Sequence, residues 1–528
     1  MFIMSTCGEV LIQALENYAV DTVFGIRGVH TIELYRGLAK SNIKHISPRH
    51  EKGAGFMADG YARATGKPGT CFIITGPGMT NIITAMGQAL QDSIPMLVIS
   101  SVNHSKQLGM GEGFLHELPN QSALVAGVSR FSHRLTHVDQ LPKVLARAFS
   151  VFSSERPGPV HIELPLDVIK ANADHLDNAA FAIADAPGAS PDAVAQAARL
   201  LQQATRPLIA ISGGAVNAGH ALIALAEKIN APVINTVNAK GLIPYTHPLA
   251  VGGSSSSNPI REELRHADVV LAVGTEFGET DYDFFGIGGK LIRIDIDPRQ
   301  LSRNVKPHLA ICSDAAYALT AINKALTLKP ESNGQNRVQA LRQKLRAGAC
   351  PKYAAFFSAL NESLPEVIIA GDSTQPTYYA WLHYETLGPR RYFHSASGYG
   401  TLGYAIPAAV GAKLVCPDKA VIGLIGDGAA QFSIAELASA VEAQVLVIFI
   451  IWNNKGYGEI SRFMDNAGVE RVGVDIYTPD FIKIAEGFGC ATAKPSTIDA
   501  LKAALIKANK QPGPTVIEVM QQDFADAC

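Results

Sequence analysis

The sequence lacks the features of a membrane protein or a nucleic-acid-binding protein. Spanning a bilayer takes about 18 consecutive apolar residues, and the longest apolar candidate, residues 445–452, is far shorter and ends at two asparagines. Lys and Arg number 45 against 47 Asp and Glu, so the net charge of −2 provides no broad basic surface. We therefore expect no membrane and no nucleic-acid partner.

Cysteines are few and scattered. The 7 cysteines include no C-x-x-C pair, which argues against a disulfide framework or a zinc site. The N-terminal segment also lacks the basic stretch and apolar run of a secretory signal. Together these absences favour a cytoplasmic location.

Instead, short apolar runs alternate with helical patterns along the whole chain. The 47 glycines and 29 prolines separate these runs, as expected of many strand-to-helix turns. Continuous apolar strands between helices indicate parallel sheets covered on both faces, and 528 residues exceed what one core supports. The sequence thus predicts an α/β protein of three αβ domains, each with a mainly parallel central sheet, at residues 1–175, 190–327 and 345–528.

The predicted strands follow this division. They are residues 22–24, 71–75, 96–100 and 160–165, then 208–212, 233–234, 269–273 and 291–296, then 367–370, 421–425, 445–451 and 515–520.

The third domain contains a candidate site for a metal-bound diphosphate. A buried strand runs into the Gly-Asp-Gly of residues 426–428, and Asn454 follows the next strand. Glycines allow the backbone to approach phosphate oxygens, and N–H groups at a helix start favour an anion. The Asp427 carboxylate, the Asn454 amide oxygen and the Gly456 carbonyl are the hard oxygen ligands that Mg²⁺ prefers.

This pairing of motifs resembles the thiamine diphosphate (ThDP) signature of the 2-oxo acid decarboxylase and acetolactate synthase family. Similar segments extend over nearly the whole chain: residues 50–54 (HEKGA), 75–81 (TGPGMTN), 156–159 (RPGP), 294–298 (IDIDP) and 400–405 (GTLGYA). The resemblance implies pyrimidine-binding, middle and diphosphate-binding domains in that order, with ThDP and Mg²⁺ as cofactors. It assigns cofactor binding to Gly400, Leu402, Gly426, Asp427, Gly428, Ala429, Asn454, Gly456 and Tyr457.

Glu51 matches the family's cofactor-activating glutamate. A carboxyl at this position hydrogen-bonds the aminopyrimidine ring and so helps the cofactor to ionise. Without the family context, Glu51 is equally well explained as an acid that stabilises a helix start. Because Glu51 and the diphosphate site lie in different domains, the family builds each active site between two subunits. The resemblance therefore implies a homodimer or homotetramer.

Two histidines and a threonine are candidates for contacts with the reacting groups. His30 and His116 could transfer protons, since histidine titrates near neutral pH. Thr75 occupies a loop position where aryl 2-oxo acid decarboxylases of the family have histidine and acetolactate synthases have small or hydroxylic residues. We expect His30 and His116 to be catalytic and Thr75 to contact substrate.

An acidic stretch at residues 276–283 could select the substrate. It contains four carboxylates, including Asp281 and Asp283, and a guanidinium pairs well with two carboxylates. If this stretch binds the substrate, it favours a 2-oxo acid with a basic tail, such as 5-guanidino-2-oxopentanoate. The alternative is a solvated loop after a strand.

Three functions remain open from the sequence. The first is ThDP- and Mg²⁺-dependent decarboxylation of a 2-oxo acid to an aldehyde and CO₂. The second is a carboligase similar to acetolactate synthase, which joins the decarboxylated unit to a second carbonyl compound. A remote third is a non-catalytic nucleotide- or CoA-binding protein, suggested by the glycines that follow the strand at residues 208–212.

Overall fold

The structure is a computed structural model that describes residues 5–177, 179–279, 286–328 and 333–524.

The first domain contains a six-stranded parallel sheet. Its strands are β1 (Thr22–Gly25), β2 (Lys44–Ile46), β3 (Gly69–Ile73), β4 (Met96–Val102), β5 (Phe131–Arg134) and β6 (Pro159–Pro165). Their order is β2-β1-β3-β4-β6-β5, and every pairing is parallel. Its helices are Cys7–Asn17, Ile32–Leu38, Glu51–Thr65, Pro77–Gln91, Gln121–Ala126, Leu141–Ser154 and Leu166–Lys170.

The middle domain contains a five-stranded parallel sheet. Its strands are β7 (Pro207–Ile211), β8 (Val233–Asn235), β9 (Val269–Val273), β10 (Lys290–Asp295) and β11 (Leu309–Cys312), in the order β11-β10-β9-β7-β8. Its helices are Pro191–Gln203, Gly219–Ile229, Asn258–His266 and Ala315–Ala325. The next helix, Gly334–Ala347, also packs on this domain, since Arg337 Nε donates to Glu263 at 2.8 Å.

The third domain repeats the arrangement of the first. Its strands are β12 (Ile368–Gly371), β13 (Tyr392–His394), β14 (Val421–Gly426), β15 (Ile448–Asn453), β16 (Ala491–Ala493) and β17 (Thr515–Met520), in the order β13-β12-β14-β15-β17-β16. All pairings are parallel. Its helices are Pro351–Ser363, Gln375–His383, Ala405–Val415, Asp427–Ala430, Glu436–Glu442, Gly458–Asn466, Phe481–Gly487, Ile498–Ala508 and Gln521–Phe524.

The predicted fold class is confirmed, and the strands that the sequence did not predict share one property. These are β2, β5, β11, β13 and β16, and each lies at the edge of its sheet. An edge strand pairs on one side only and needs no continuous apolar run; β5, for example, is half-buried along its length. The predicted strand at 445–451 begins instead at Ile448. The domain boundaries proposed from the sequence stay predictions.

Helices Glu51–Thr65 and Ala405–Val415 join the first and third domains face to face. A Cβ at Gly60 would collide with the backbone oxygen of Ala408, and one at Gly411 with that of Met57. The glycines therefore permit a close helix crossing. Buried side chains of both helices belong to one hydrophobic cluster, so the helix that begins at Glu51 rests on the third domain.

Within the described ranges, no helix is long and apolar enough to cross a membrane. Cys7, Cys71, Cys312, Cys416 and Cys490 have free thiols, whereas Cys350 is disulfide-bonded.

Candidate active site

The Gly-Asp-Gly segment lies where the buried strand β14 meets a short helix. Gly426 is the extended residue before helix Asp427–Ala430, so backbone N–H groups are exposed at the helix start. Gly428 packs against an aromatic ring, since a Cβ there would lie 2.6 Å from Tyr457 Cε1. Ala429 is buried beside it. The turn thus provides a compact, anion-attracting backbone surface.

Three oxygen ligands converge at the end of strands β14 and β15. The end of the Asn454 side chain lies 3.1 Å from Asp427 Oδ1 and 2.8 Å from the carbonyl oxygen of Gly456. With its amide nitrogen toward these atoms, Asn454 donates to both; with its amide oxygen toward them, the three oxygens face one another. The second arrangement matches the oxygen ligands that a hard divalent cation requires.

Two hydrogen bonds hold one oxygen of the Asp427 carboxylate, Oδ2, and leave Oδ1 facing Asn454. Oδ2 accepts hydrogen bonds from Gly456 N at 3.0 Å and from the Thr478 hydroxyl at 3.2 Å. Burial raises the pKa of Asp427, whereas the hydrogen bonds from Thr478 and from backbone N–H groups lower it. A bound cation would favour the ionised form further.

A cavity of about 490 Å³ opens in front of this turn. It is lined by Gly428, Gln431, Phe432, Tyr457, Ile476 and Tyr477. All of these residues belong to the third domain, and no described residue of the first domain of the same chain lines the cavity. Tyr477 is 84% exposed and Phe432 50% exposed, which leaves the aromatic rim open to solvent.

The loop at residues 400–404 lies next to the same cavity. Gly403 adopts a left-handed conformation, and a Cβ there would lie 2.7 Å from Phe432 Cβ. Leu402 is half-buried against the core. Gly400 has a φ of 71° with open space around its Cα. These positions allow Gly400 and Leu402 to contact a ring bound above the diphosphate.

Glu51 is the first residue of helix Glu51–Thr65. Its side chain is 9% exposed, and its Oε2 accepts a hydrogen bond from Asn81 Nδ2 at 2.9 Å. A Cβ at Gly78 would lie 3.4 Å from its other oxygen, Oε1. Glu51 therefore forms part of a wall at the carboxyl ends of β1 and β3.

His30, His116 and Thr75 belong to the same wall, as Ile74 packs between Gly28 and Gly78. The rings of His30 and His116 lie 5.5 Å apart, edge to face. Thr75 Oγ1 donates to the backbone oxygen of His116 at 3.3 Å.

Among the described residues, no hydrogen-bond partner lies within reach of Nδ1 of the buried His30 ring. Burial lowers the pKa of His30, and the charges of His116 and Lys170 lower it further. At neutral pH His30 is therefore held in its uncharged form, with the His116 ring beside it.

A buried polar network supports this wall from behind. Gln121 Oε1 accepts from Gly76 N at 3.3 Å, and its Nε2 donates to Ser100 Oγ at 3.0 Å. Ser100 Oγ in turn lies 2.7 Å from His161 Nε2, and Ser132 Oγ lies 2.7 Å from His161 Nδ1. No sequence pattern marked this network, whose members lie in five separate segments.

A second cavity lies where the carboxyl ends of the middle domain's strands meet the first and third domains. The cavity of about 290 Å³ is lined by residues 212–214, Gly274 and Asp295, among others. This is the sheet's topological switch point. However, Gly214 N donates to Gly274 O at 3.1 Å, and a Cβ at Gly214 would lie 2.6 Å from Gly274 Cα. The glycines therefore serve close packing between two loops.

The predicted substrate-selecting stretch is described only in part. Glu276 pairs with Arg156 at 3.1 Å, so it is engaged between domains. Asp281 and Asp283 lie outside the described residues, and their proposed contact with a basic substrate tail stays a prediction.

Three parallel-sheet domains, with a Gly-Asp-Gly turn beside Asn454 and Gly456, point to the class of this protein. Family models match all three domains: the thiamine pyrophosphate enzyme N-terminal TPP binding domain at residues 5–124, the central domain at 194–322 and the C-terminal TPP binding domain at 372–519. The chain belongs to the thiamine pyrophosphate enzyme family, as predicted.

Relatives match over almost their entire length. A probable 2-ketoarginine decarboxylase of Pseudomonas aeruginosa is 44% identical over 97% of this chain and 94% of its own. Acetolactate synthase isozyme 1 large subunit of Escherichia coli is 32% identical over 97% of this chain and 93% of its own. A probable acetolactate synthase large subunit of Methanocaldococcus jannaschii is 31% identical, with coverages of 97% and 91%.

Proposed function

We propose that this thiamine pyrophosphate enzyme decarboxylates a 2-oxo acid with a basic tail, 5-guanidino-2-oxopentanoate, to an aldehyde and CO₂. The observation that carries the proposal is the His30–His116 pair in the wall that contains Glu51. A decarboxylase must deliver a proton where CO₂ has left, and paired histidines suit that step. The 44% identity with a probable 2-ketoarginine decarboxylase supports the same substrate class.

ThDP, when bound, supplies the electron sink that permits loss of CO₂ from a 2-oxo acid. Asp427, Asn454 and Gly456 would hold Mg²⁺ and, through it, the diphosphate. Gly428 and Tyr457 would form the cavity floor. Leu402 and Gly400 would position the rings, and Glu51 would hold a proton at the aminopyrimidine nitrogen.

The chain's histidines would then act on the substrate. His116 would give a proton to the carbon that loses CO₂, and His30, held uncharged by burial, would accept one in exchange. Thr75 would contact the substrate beside them, since its hydroxyl is fixed on His116 O. Asp281 and Asp283 would bind the guanidinium tail.

We also propose that two copies of the chain form each active site, in a homodimer or homotetramer. Two features support this. The cavity before Gly428 is lined by the third domain alone, and the wall near His30 exposes Val29, Ile32 and Leu115 at 51–62%. Exposed apolar residues around an incomplete site indicate a surface that a partner covers. The five free thiols would suit a reducing cytoplasm, whereas the disulfide of Cys350 is unusual for that compartment.

A carboligase is the second candidate. It is favoured by the 32% identity with an acetolactate synthase. A non-catalytic nucleotide-binding protein is less well supported. The glycine after strand β7 packs against the loop after β9, and the cavity beside it is shared with the first and third domains.

The test compares CO₂ release from 5-guanidino-2-oxopentanoate and from pyruvate at equal concentration, with ThDP and Mg²⁺. We expect rapid release from the guanidino acid, with its aldehyde as product and no reaction when Mg²⁺ is removed by a chelator. Release from pyruvate alone, with acetolactate as product, would replace the decarboxylase by the carboligase.

A further inference from the structure

The segment before Glu51 is held by a residue of another domain. Glu436, in helix Glu436–Glu442 of the third domain, accepts hydrogen bonds from two consecutive backbone amides of the first domain. Arg49 N lies 3.1 Å from both carboxylate oxygens, and His50 N lies 3.0 Å from Oε1. Ser439 Oγ donates to Oε2 at 2.6 Å. Helix starts have unpaired N–H groups, and here the residues leading into the helix are fixed from outside it.

Burial of the Glu436 carboxylate has a cost, which these hydrogen bonds help to offset. The residue is 1% exposed. Burial raises the pKa of Glu436, whereas the hydrogen bonds from Ser439, Arg49 and His50 lower it. A buried carboxylate needs such donors. Gly53 leaves the space that the carboxylate fills, because a Cβ there would collide with Oε1.

The residue after Glu51 is held by the same domain. Lys52 Nζ donates to Phe432 O at 3.2 Å and lies 5.3 Å from the centre of the Phe432 ring. Its charge also interacts with Asp372 and Glu436. Glu51 thus lies between two neighbours that the third domain immobilises, while its own carboxylate is bonded by Asn81 of the first domain.

We propose that Glu436 is the positioning residue for Glu51: by binding the backbone of residues 49–50, it fixes the direction in which the helix start presents the Glu51 carboxylate to the cofactor. The consequence for catalysis rests on the proposed function of Glu51, whereas the backbone contact does not. Catalytic groups tolerate little displacement, and a shift of about 1 Å can cost on the order of 100-fold in rate.

The test uses Glu436→Gln, Glu436→Ala and a matched control, Glu442→Gln. Glu442 lies in the same helix and pairs with the side chain of Arg49 at the surface, so its loss removes an ion pair but no backbone contact. Three quantities are measured on the full chain: amide hydrogen exchange of residues 47–56 without cofactor, affinity for ThDP with Mg²⁺, and kcat and KM for decarboxylation.

We expect faster exchange of the amides at residues 49–54 in Glu436→Ala, with kcat lowered on the order of 10- to 100-fold, and little change in KM or ThDP affinity. Glu436→Gln keeps one acceptor oxygen and should fall between wild type and Glu436→Ala. The control should match wild type. Unchanged exchange in Glu436→Ala, or faster exchange with unchanged kcat, would overturn the proposal.

A second comparison removes the concern that Glu436→Ala merely misfolds. Gly53→Ala should lower kcat in the wild-type background by displacing the carboxylate, and should have much less effect in the Glu436→Ala background, where that carboxylate is gone. Equal effects in both backgrounds would contradict the contact. Full turnover of Glu51→Gln would instead overturn the function proposed for Glu51, whatever the exchange data show.

Discussion

The diphosphate turn of the third domain and the Glu51 wall of the first domain are built in different ways. In the turn, Asp427, Asn454 and Gly456 are brought together by adjacent parallel strands, β14 and β15, and hold one another directly. In the wall, Glu51, His30 and His116 come from separate loops, and the backbone before Glu51 is held by Glu436 of another domain. If the turn binds the cofactor and Glu51 activates it, as proposed, binding depends on local geometry and activation on contacts between domains.

The largest loss of turnover should come from a substitution in the wall, at Glu51. Glu51→Gln keeps the volume of the side chain and removes its acidic proton, so we expect kcat to fall by about 10²- to 10⁴-fold. Affinity for ThDP should change little, since the turn is untouched. Steady-state kinetics measure the loss of kcat, and a cofactor titration on the same preparation measures the affinity for ThDP. Equal losses of turnover and of ThDP affinity would contradict the assignment of separate roles to the wall and the turn.

Removal of one wall histidine should have a smaller effect. For His116→Gln we expect kcat to fall on the order of 100-fold. The charge of His116 also lowers the pKa of His30, so that pKa should rise in the variant. The acid limb of the kcat/KM profile reports this shift. An unchanged limb would show that the two rings titrate independently.

Removal of a turn ligand should give the opposite pattern from Glu51→Gln. Asp427→Ala should weaken ThDP binding at fixed Mg²⁺ by at least 10- to 100-fold, about the loss seen when groups around metal ligands are removed. Saturating cofactor should restore part of the turnover. Asp465→Asn is the control, because Asp465 pairs with Arg471 at the surface. Wild-type affinity in Asp427→Ala would exclude it as a ligand.

The smallest effect concerns the network behind the wall. His161 is fully buried between two serine hydroxyls, and burial lowers its pKa to about 3. Its uncharged form is favoured in the folded state, so its stabilisation is complete above about pH 6.5, the unfolded value, and is lost as pH falls toward 3. At pH 5 the loss is about 2 kcal/mol.

His161→Gln should therefore lose less thermal stability than wild type between pH 7 and pH 5. The remaining loss should include the contribution of His394, whose pKa burial also lowers to about 3, and of the other buried histidines with lowered pKa values. Thermal unfolding midpoints at the two pH values measure the difference. An identical acid-induced shift in both proteins would mean that His161 is already charged in the folded state.

The contrast between turn and wall also explains what the sequence could predict. Asp427 and Asn454 each follow a strongly apolar strand, so the pattern predicted both strands and proposed both residues as ligands. Interior strands were predicted for the same reason, whereas edge strands such as β5 and β13 lack continuous apolar runs and were not. Glu51, His30, His116 and Thr75 were proposed from motifs, and the structure places them along one wall.

Other features depend on tertiary contacts that no local pattern reveals. Glu436 resembles any acid at the start of a helix, and only the fold brings it to residues 49–50. Gln121 and His161 gave no signal, because their partners lie in distant strands. The aromatic rim of the cavity, with Phe432 and Tyr477, was missed because exposed aromatics have no periodicity.

The central claim is that the turn and the wall together form one active site. Complementation between two inactive variants tests it most directly. Glu51→Gln and Asp427→Ala chains with different tags are co-produced, and mixed oligomers are purified through both tags. If each site combines the wall of one chain with the turn of its partner, a mixed dimer holds one complete site, and we expect about half of wild-type turnover. Mixed oligomers that stay as inactive as the single variants would contradict a site shared between subunits.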